Sequence, residues 1–170
     1  MFEGKRGLKI AIYVKGFSEK EKRLFPDKDQ MKICKEFIHS QTKGVLVKEY
    51  YDNYTKGGYL PMFNQMIEDG KENRFDMIIT HEAERFGKDV VEAYQEAMKL
   101  LDYGIGVRFI ENDIFTKEFL GILKLEIMAQ MLEKKKNLQS ERVRDGLRRK
   151  KEKGCETGLY KIMLNCTLVK

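Results

Sequence analysis

Residues 75–88 read FDMIITHEAERFGK, a short β-branched apolar run that stops abruptly in a loop of charged side chains. A strand covered on both faces has this nearly continuous apolar character, whereas a strand wetted on one face alternates. The same pattern recurs in IAIYV (10–14), VLVKEY (45–50) and VRFI (107–110), and amphipathic stretches separate these runs. Taken in order, Leu8–Val14, Asp27–Ser40, Gly44–Tyr51, Pro61–Asp69, Phe75–Thr80, Asp89–Tyr103 and Gly106–Ile110 alternate strand and helix. Such a βαβαβαβ order predicts an α/β domain with a largely parallel central sheet flanked by helices. Ligands in these folds meet the carboxyl ends of the strands, so function is sought in the loops after Val14, Tyr51, Thr80 and Ile110.

A long helix is expected from about Lys117 to Lys153. Residues 132–153 hold ten Lys/Arg against four acids, a surplus of six that equals the net charge of the whole chain, +6. At 1.5 Å per residue this helix would run roughly 55 Å, well beyond a small domain, which directs its basic end toward a polyanion. Its first half is apolar at Phe119, Leu120, Ile122, Leu123, Leu125, Ile127, Met128, Met131 and Leu132, a band wide enough for the domain on one side and a second helix on the other. Three segments are expected: an α/β domain over 1–115, the long helix over 116–153 and a tail over 154–170.

The 42% apolar content suffices for one core. No apolar run reaches membrane-spanning length, and the start MFEGKRGLKIAIYV lacks the layout of a secretory signal, so a cytoplasmic protein is expected. Cys34, Cys155 and Cys166 have no paired spacing and read as free thiols. His39 and His81 stand far apart without a second ligand at metal spacing, and Lys56-Gly57-Gly58 lacks the spacing of a nucleotide-binding loop. Neither a metal nor a nucleotide is expected as cofactor.

At the strand ends, the loop Tyr13-Val14-Lys15-Gly16-Phe17-Ser18 and the loop Glu84-Arg85-Phe86-Gly87-Lys88 bring a hydroxyl and the cations Lys15, Arg85 and Lys88 to one edge of the sheet. A serine attacking phosphorus needs positive groups around the non-bridging oxygens, where charge accumulates. Ordinary loop cations would give the same residues without the chemistry.

The chain resembles the serine recombinases of the resolvase, invertase and large serine integrase group. The first loop is similar to that family's Tyr-x-Arg-x-Ser, and DQMKIC supplies Gln30 and Cys34 in like surroundings. FDMIITHEAERFGK resembles the strand and loop ending in Asp-Arg-Leu-Gly-Arg, and Tyr50-Tyr51-Asp52 followed by Pro61-Met62-Phe63 resembles the acidic residue and Arg-Pro-x-Phe segment. Ser140-Glu141-Arg142-Val143-Arg144-Asp145-Gly146 is close to Ser-Glu-Arg-Val-x-x-Gly of its long helix. The resemblance runs from residue 8 to about 154 in the family's order.

It implies a resolvase-like fold and a site-specific recombinase that cuts and rejoins double-stranded DNA through a phosphoserine intermediate. It also implies homodimers built on the long helix, paired as tetramers on DNA, with no cofactor. Positions matching the family's active site are Tyr13, Lys15, Gln30, Asp52, Glu84, Arg85, Lys88, Lys136 and Arg142, while Arg144, Arg148 and Arg149 extend the basic face toward DNA. The departures fall on the chemistry. Ungapped, the nucleophile position holds Phe17, and a one-residue insertion at Gly16 puts Ser18 there instead. Lysine replaces arginine at Lys15, Lys88 and Lys136, Leu60 replaces another arginine, and Arg85 and Arg142 are retained. Three readings stay open: an active recombinase using Ser18, a non-catalytic relative that binds DNA and dimerises, and a basic α/β module that binds a protein or RNA partner.

Overall fold

A computed structural model describes residues 7–16, 18, 27–54 and 58–152. Phe17, Lys56 and the tail from residue 153 onward lie outside the described residues. The chain divides into two compact units, Met1–Gln130 and Met131–Lys170, with the border inside the last helix.

The first unit alternates as its sequence predicts. Strand β1 (Lys9–Lys15) leads to helix α1 (Asp27–Gln41), β2 (Val45–Asp52), α2 (Pro61–Lys71), β3 (Met77–Thr80), α3 (Val90–Asp102) and β4 (Gly106–Phe109). A two-residue strand, β5 (Ile114–Phe115), was not foreseen. It pairs antiparallel with β4, and the long helix α4 (Phe119–Glu152) follows. The sheet order is β2-β1-β3-β4-β5, with β1, β2, β3 and β4 parallel. The fold is thus a mostly parallel five-stranded sheet with flanking helices and a long C-terminal helix, as expected. Among the described residues, no helix is long and apolar enough to cross a membrane.

Strand β1 is the centre of the packing. Ile10, Ile12 and Val14 point to one face, where Cys34 and Ile38 of α1 cover them with Met77 and Ile79 of β3. Tyr13, on the opposite face, joins an edge-to-face aromatic cluster with Phe63 at 5.2 Å and Phe86 at 5.9 Å between ring centroids. Phe86 also meets Phe63 at 5.0 Å and Phe109 at 5.6 Å. Alternation along one strand therefore builds two cores. Burial pushes the Cys34 thiol up to about 12, which keeps it a neutral packing group.

Two buried carboxylates organise the β2–α2 pair. Asp69 on α2 is 1% exposed and accepts from Lys48 Nζ and Tyr50 hydroxyl at 2.5 Å each and from Gln65 Nε2 at 2.9 Å, with Arg74 at 3.3 Å. Burial opposes its ionisation, but the hydrogen bonds from Lys48, Tyr50 and Gln65 outweigh that cost and hold its pKa at about 2. Asp52 ends β2 and caps α2 from outside that helix. Its Oδ1 accepts from Met62 N at 2.9 Å and its Oδ2 from Phe63 N at 2.8 Å, while the N-cap residue Leu60 offers no side-chain bond. Pro61 opens the helix, where a missing N–H costs nothing.

The start of α4 is fixed by close approach. A Cβ on Gly121 would lie 2.1 Å from the Phe115 carbonyl oxygen, so only glycine lets the helix pass β5 there. Gly121, Leu125 and Ala129 are buried at four-residue spacing, while Phe119, Leu120, Leu123 and Ile127 remain exposed. In the second unit, Met131, Leu138, Val143 and Leu147 are exposed among the basic side chains of α4.

Two stability predictions follow from the carboxylates. Asp69 has a depressed folded pKa, so its contribution is complete above the unfolded value and is lost as pH falls toward about 2. Urea unfolding from pH 5 to pH 2 should show an acid loss of about 2 kcal/mol in the wild type that is missing from Asp69→Asn, which starts less stable at neutral pH. Asp52→Ala should lower unfolding free energy by about 2–4 kcal/mol, and the added cost of Tyr13→Phe should shrink in that background, because the two groups share one bond.

Candidate functional site

Strand order reverses direction at β1, whose neighbours are β2 on one side and β3 on the other. The ends of β1 and β3 therefore lie side by side at the carboxyl edge of the sheet, the place where such folds receive ligands. The sequence places its two charged loops at this point.

The β3 loop is rigidly built. A single 3-10 turn spans Ala83–Arg85, closed by Arg85 N to Glu82 O and Phe86 N to Ala83 O at 3.1 Å each. Phe86 sinks into the aromatic cluster with no exposure, pinning the middle of the loop. Gly87 takes φ +85°, and a Cβ there would also lie 2.7 Å from Glu92 Oε2. That Glu92 oxygen accepts from Lys88 N at 2.5 Å, and Asp89 caps α3 by accepting from Val91 N at 2.9 Å and Glu92 N at 3.1 Å.

Around this loop the predicted site residues fall into distinct roles. Lys15 is 8% exposed, and its Nζ donates to the backbone carbonyls of Glu84 at 3.2 Å, Gly87 and Lys88 at 3.5 Å. Tyr13, buried on the same face of β1, donates its hydroxyl to Asp52 Oδ2 at 3.2 Å. Burial first, then the neighbouring Asp52 carboxylate, raises the Tyr13 pKa, so the phenol stays protonated. Gly16 N donates to Asp52 O at 2.7 Å, which ties the ends of β1 and β2 together. Lys15, Tyr13, Asp52 and the Glu84 backbone thus form one connected assembly. Ser18 follows it and is partly buried.

Arg85 is largely buried, with its side chain 13% exposed, and its Nε donates to Glu82 Oε1 at 3.3 Å. The same Glu82 oxygen lies 3.9 Å from His81 Nδ1, and His81 Nε2 lies 3.9 Å from Glu111. Asn112 Oδ1 accepts from Ala83 N at 2.7 Å and joins the loops after β3 and β4. Glu84 and Lys88 present exposed side chains, and Lys88 Nζ lies 3.5 Å from Glu92. Sequence reasoning did not foresee the parts of Glu82, Glu92 and Asn112. Glu82 and Glu92 carried a signal, standing three residues before Arg85 and four after Lys88.

Gln30 on α1 is 3% exposed, and among the described residues neither its amide oxygen nor its nitrogen has a hydrogen-bond partner. Leaving such groups unmet costs about 1–3 kcal/mol each. Leu60, where the resemblance sets an arginine, is 6% exposed and belongs to the core. Among the described residues no cluster of three or more His, Cys, Asp or Glu could hold a metal ion. Lys136, Arg142, Arg144, Arg148 and Arg149 lie in the second unit, exposed along α4, where Arg142 shares a shallow face with Met131, Lys134, Lys135, Leu138 and Gln139.

No curated protein sequence matches the chain. Among solved structures, a resolvase family site-specific recombinase from Streptococcus pneumoniae is similar with a TM-score of 0.65 at 20% identity, over 84% of this chain and 99% of that one. The N-terminal catalytic domain of TP901-1 integrase is similar with a TM-score of 0.61 at 20% identity, over 76% of this chain and 98% of that one. At such identities the likeness is one of fold. The sequence itself is matched over residues 17–155 by the family described as Resolvase, N terminal domain, and the chain belongs to that family of serine recombinases.

Proposed function

We propose that this chain is the catalytic domain of a site-specific recombinase that cuts and rejoins double-stranded DNA, with Ser18 as nucleophile. The family match over residues 17–155 carries the reading. Support comes from Arg85 and Lys88, held on a rigid loop at the strand-order reversal where such folds receive ligands.

In the proposed reaction Ser18 Oγ attacks phosphorus and loses its proton. The new bond joins serine to the 5′ phosphate, the bond from phosphorus to the 3′ oxygen breaks, and that oxygen leaves as a 3′ hydroxyl after taking a proton. Attack by a 3′ hydroxyl on the serine ester then reverses these steps and restores both the diester and the free serine. No water is consumed, so the bond energy is kept for rejoining. Arg85 serves the non-bridging oxygens as a forked donor, and Lys88 adds charge beside it. Lys136, Arg142, Arg144, Arg148 and Arg149 contact the phosphate backbone along α4. The exposed Phe119, Leu120, Leu123 and Ile127 meet a second copy in a homodimer, and dimers pair into a tetramer on DNA in the cytoplasm.

A non-catalytic relative that binds DNA and dimerises is the second reading. Leu60 favours it, since a buried leucine adds to the core what an arginine would have given to the phosphate.

Incubation with duplex DNA carrying the cognate site, followed by denaturing electrophoresis, should reveal a covalent protein–DNA adduct. It should be absent in Ser18→Ala and reduced about 10²–10³-fold in Arg85→Ala. DNA binding that survives with no adduct selects the non-catalytic reading. For assembly, Ile127→Glu should convert dimers to monomers in sedimentation equilibrium, because an unpaired charge would be buried between helices. Monomers before and after the change exclude α4 as a dimer interface.

A further inference from the structure

Lys15 stands where the resemblance sets an arginine of the phosphate site, yet its ammonium is engaged with the protein's own backbone. Three carbonyls converge on it, from Glu84, Gly87 and Lys88. The turn bonds of this loop use other carbonyls, those of Glu82 and Ala83. Lys15 therefore collects acceptors that the local turn leaves aside. An ammonium is a compact point charge with three protons directed to three corners, which suits three acceptors closing on one point. A guanidinium spreads its donors in a plane and fits carboxylate or phosphate oxygens instead. Burial strengthens these contacts, because at 8% exposure water competes weakly for the charge.

We propose that Lys15 is a positioning residue, a clamp that fixes the loop carrying Arg85 and Lys88 to the end of β1, and that it does not itself grip the DNA phosphate. Its role in DNA binding rests on the function proposed above, whereas the clamp stands on the loop alone. The other anchors of the loop leave it this task. Phe86 fixes the middle by packing its ring on Tyr13, Phe63 and Phe109, and Glu92 holds the far end through Lys88 N, but neither is bonded to the carbonyls that Lys15 meets. Lys15 carries the position of the buried central strand directly into the main-chain carbonyls on either side of Arg85. A loop released at this point would keep Arg85 while losing the aim of its side chain.

The clamp is tested first without DNA. Amide hydrogen exchange in Lys15→Met should accelerate by about tenfold or more at Arg85, Phe86 and Lys88, with amides of α1 and β4 unchanged. Lys15→Arg keeps the buried charge and serves where Lys15→Met does not fold; it should show the same local acceleration, because the fork cannot meet three converging carbonyls. Unchanged exchange in the loop of either folded variant overturns the clamp, whatever happens with DNA.

Duplex binding at fixed salt then separates positioning from contact. Arg85→Ala should weaken binding in the wild-type background and add little in the Lys15→Met background, a non-additivity that a general loss of stability would not give. Lys15→Arg should bind more weakly than the wild type. Equal or tighter binding by Lys15→Arg with an undisturbed loop identifies Lys15 as a phosphate ligand and overturns the proposal. Failure of the wild type to bind duplex DNA at all removes the proposed function, while the exchange comparison still decides the clamp.

Discussion

Strand β1 touches helices or sheet neighbours on every side, so little water reaches the polar side chains that end it. Tyr13 and Lys15 must be satisfied by protein groups, since a buried hydroxyl or ammonium left alone is costly. Tyr13 finds the Asp52 carboxylate, which in turn holds the first N–H groups of α2. Lys15 finds the loop after β3. Meeting the needs of two residues on one strand thus ties together the ends of β1 and β2, the start of α2 and the loop that bears Arg85. The loop after β3 inherits its geometry from that requirement, and its rigidity comes from the core rather than from its own surface.

The alternation of elements was legible because each buried strand is a run of apolar residues and each helix has one apolar face. Strand β5 was not, because two residues give no period to read and only pairing with Arg108 and Phe109 defines it. The family was legible from the order of several weak motifs. The partners of the site residues were not. Asp52 acts on Met62 and Phe63 ten and eleven residues away, and Lys15 acts on carbonyls about seventy residues away. A side chain's type announces that it needs a partner, but the fold decides which one. Hence Lys15 reads from sequence as a cation aimed at phosphate, although in the folded chain its ammonium donates to main-chain oxygens.

The substitutions at the arginine positions are not equivalent to one another. Lys15 is enclosed, Lys88 is exposed beside Glu92, and Leu60 is packed in the core. Loss of a planar fork therefore has three meanings here: a loop fastening, an exposed charge beside a carboxylate and a hydrophobic contact. Arg85 keeps its fork but donates through Nε to Glu82, an arrangement that orients the guanidinium plane.

The sheet's two edges bear on how copies of this chain can meet. β5 is only two residues long, and β2 breaks its register against β1 where Ile10 pairs with Leu46 and Ala11 with Lys48. Val47 is skipped there, and charged Lys48 and Glu49 follow it along the strand. A short edge and a bulged, charged edge offer a poor template for an incoming strand. Exposed Val45 and Val47 therefore do not translate into sheet-to-sheet growth, and the domain is shielded from aggregating through its strand edges.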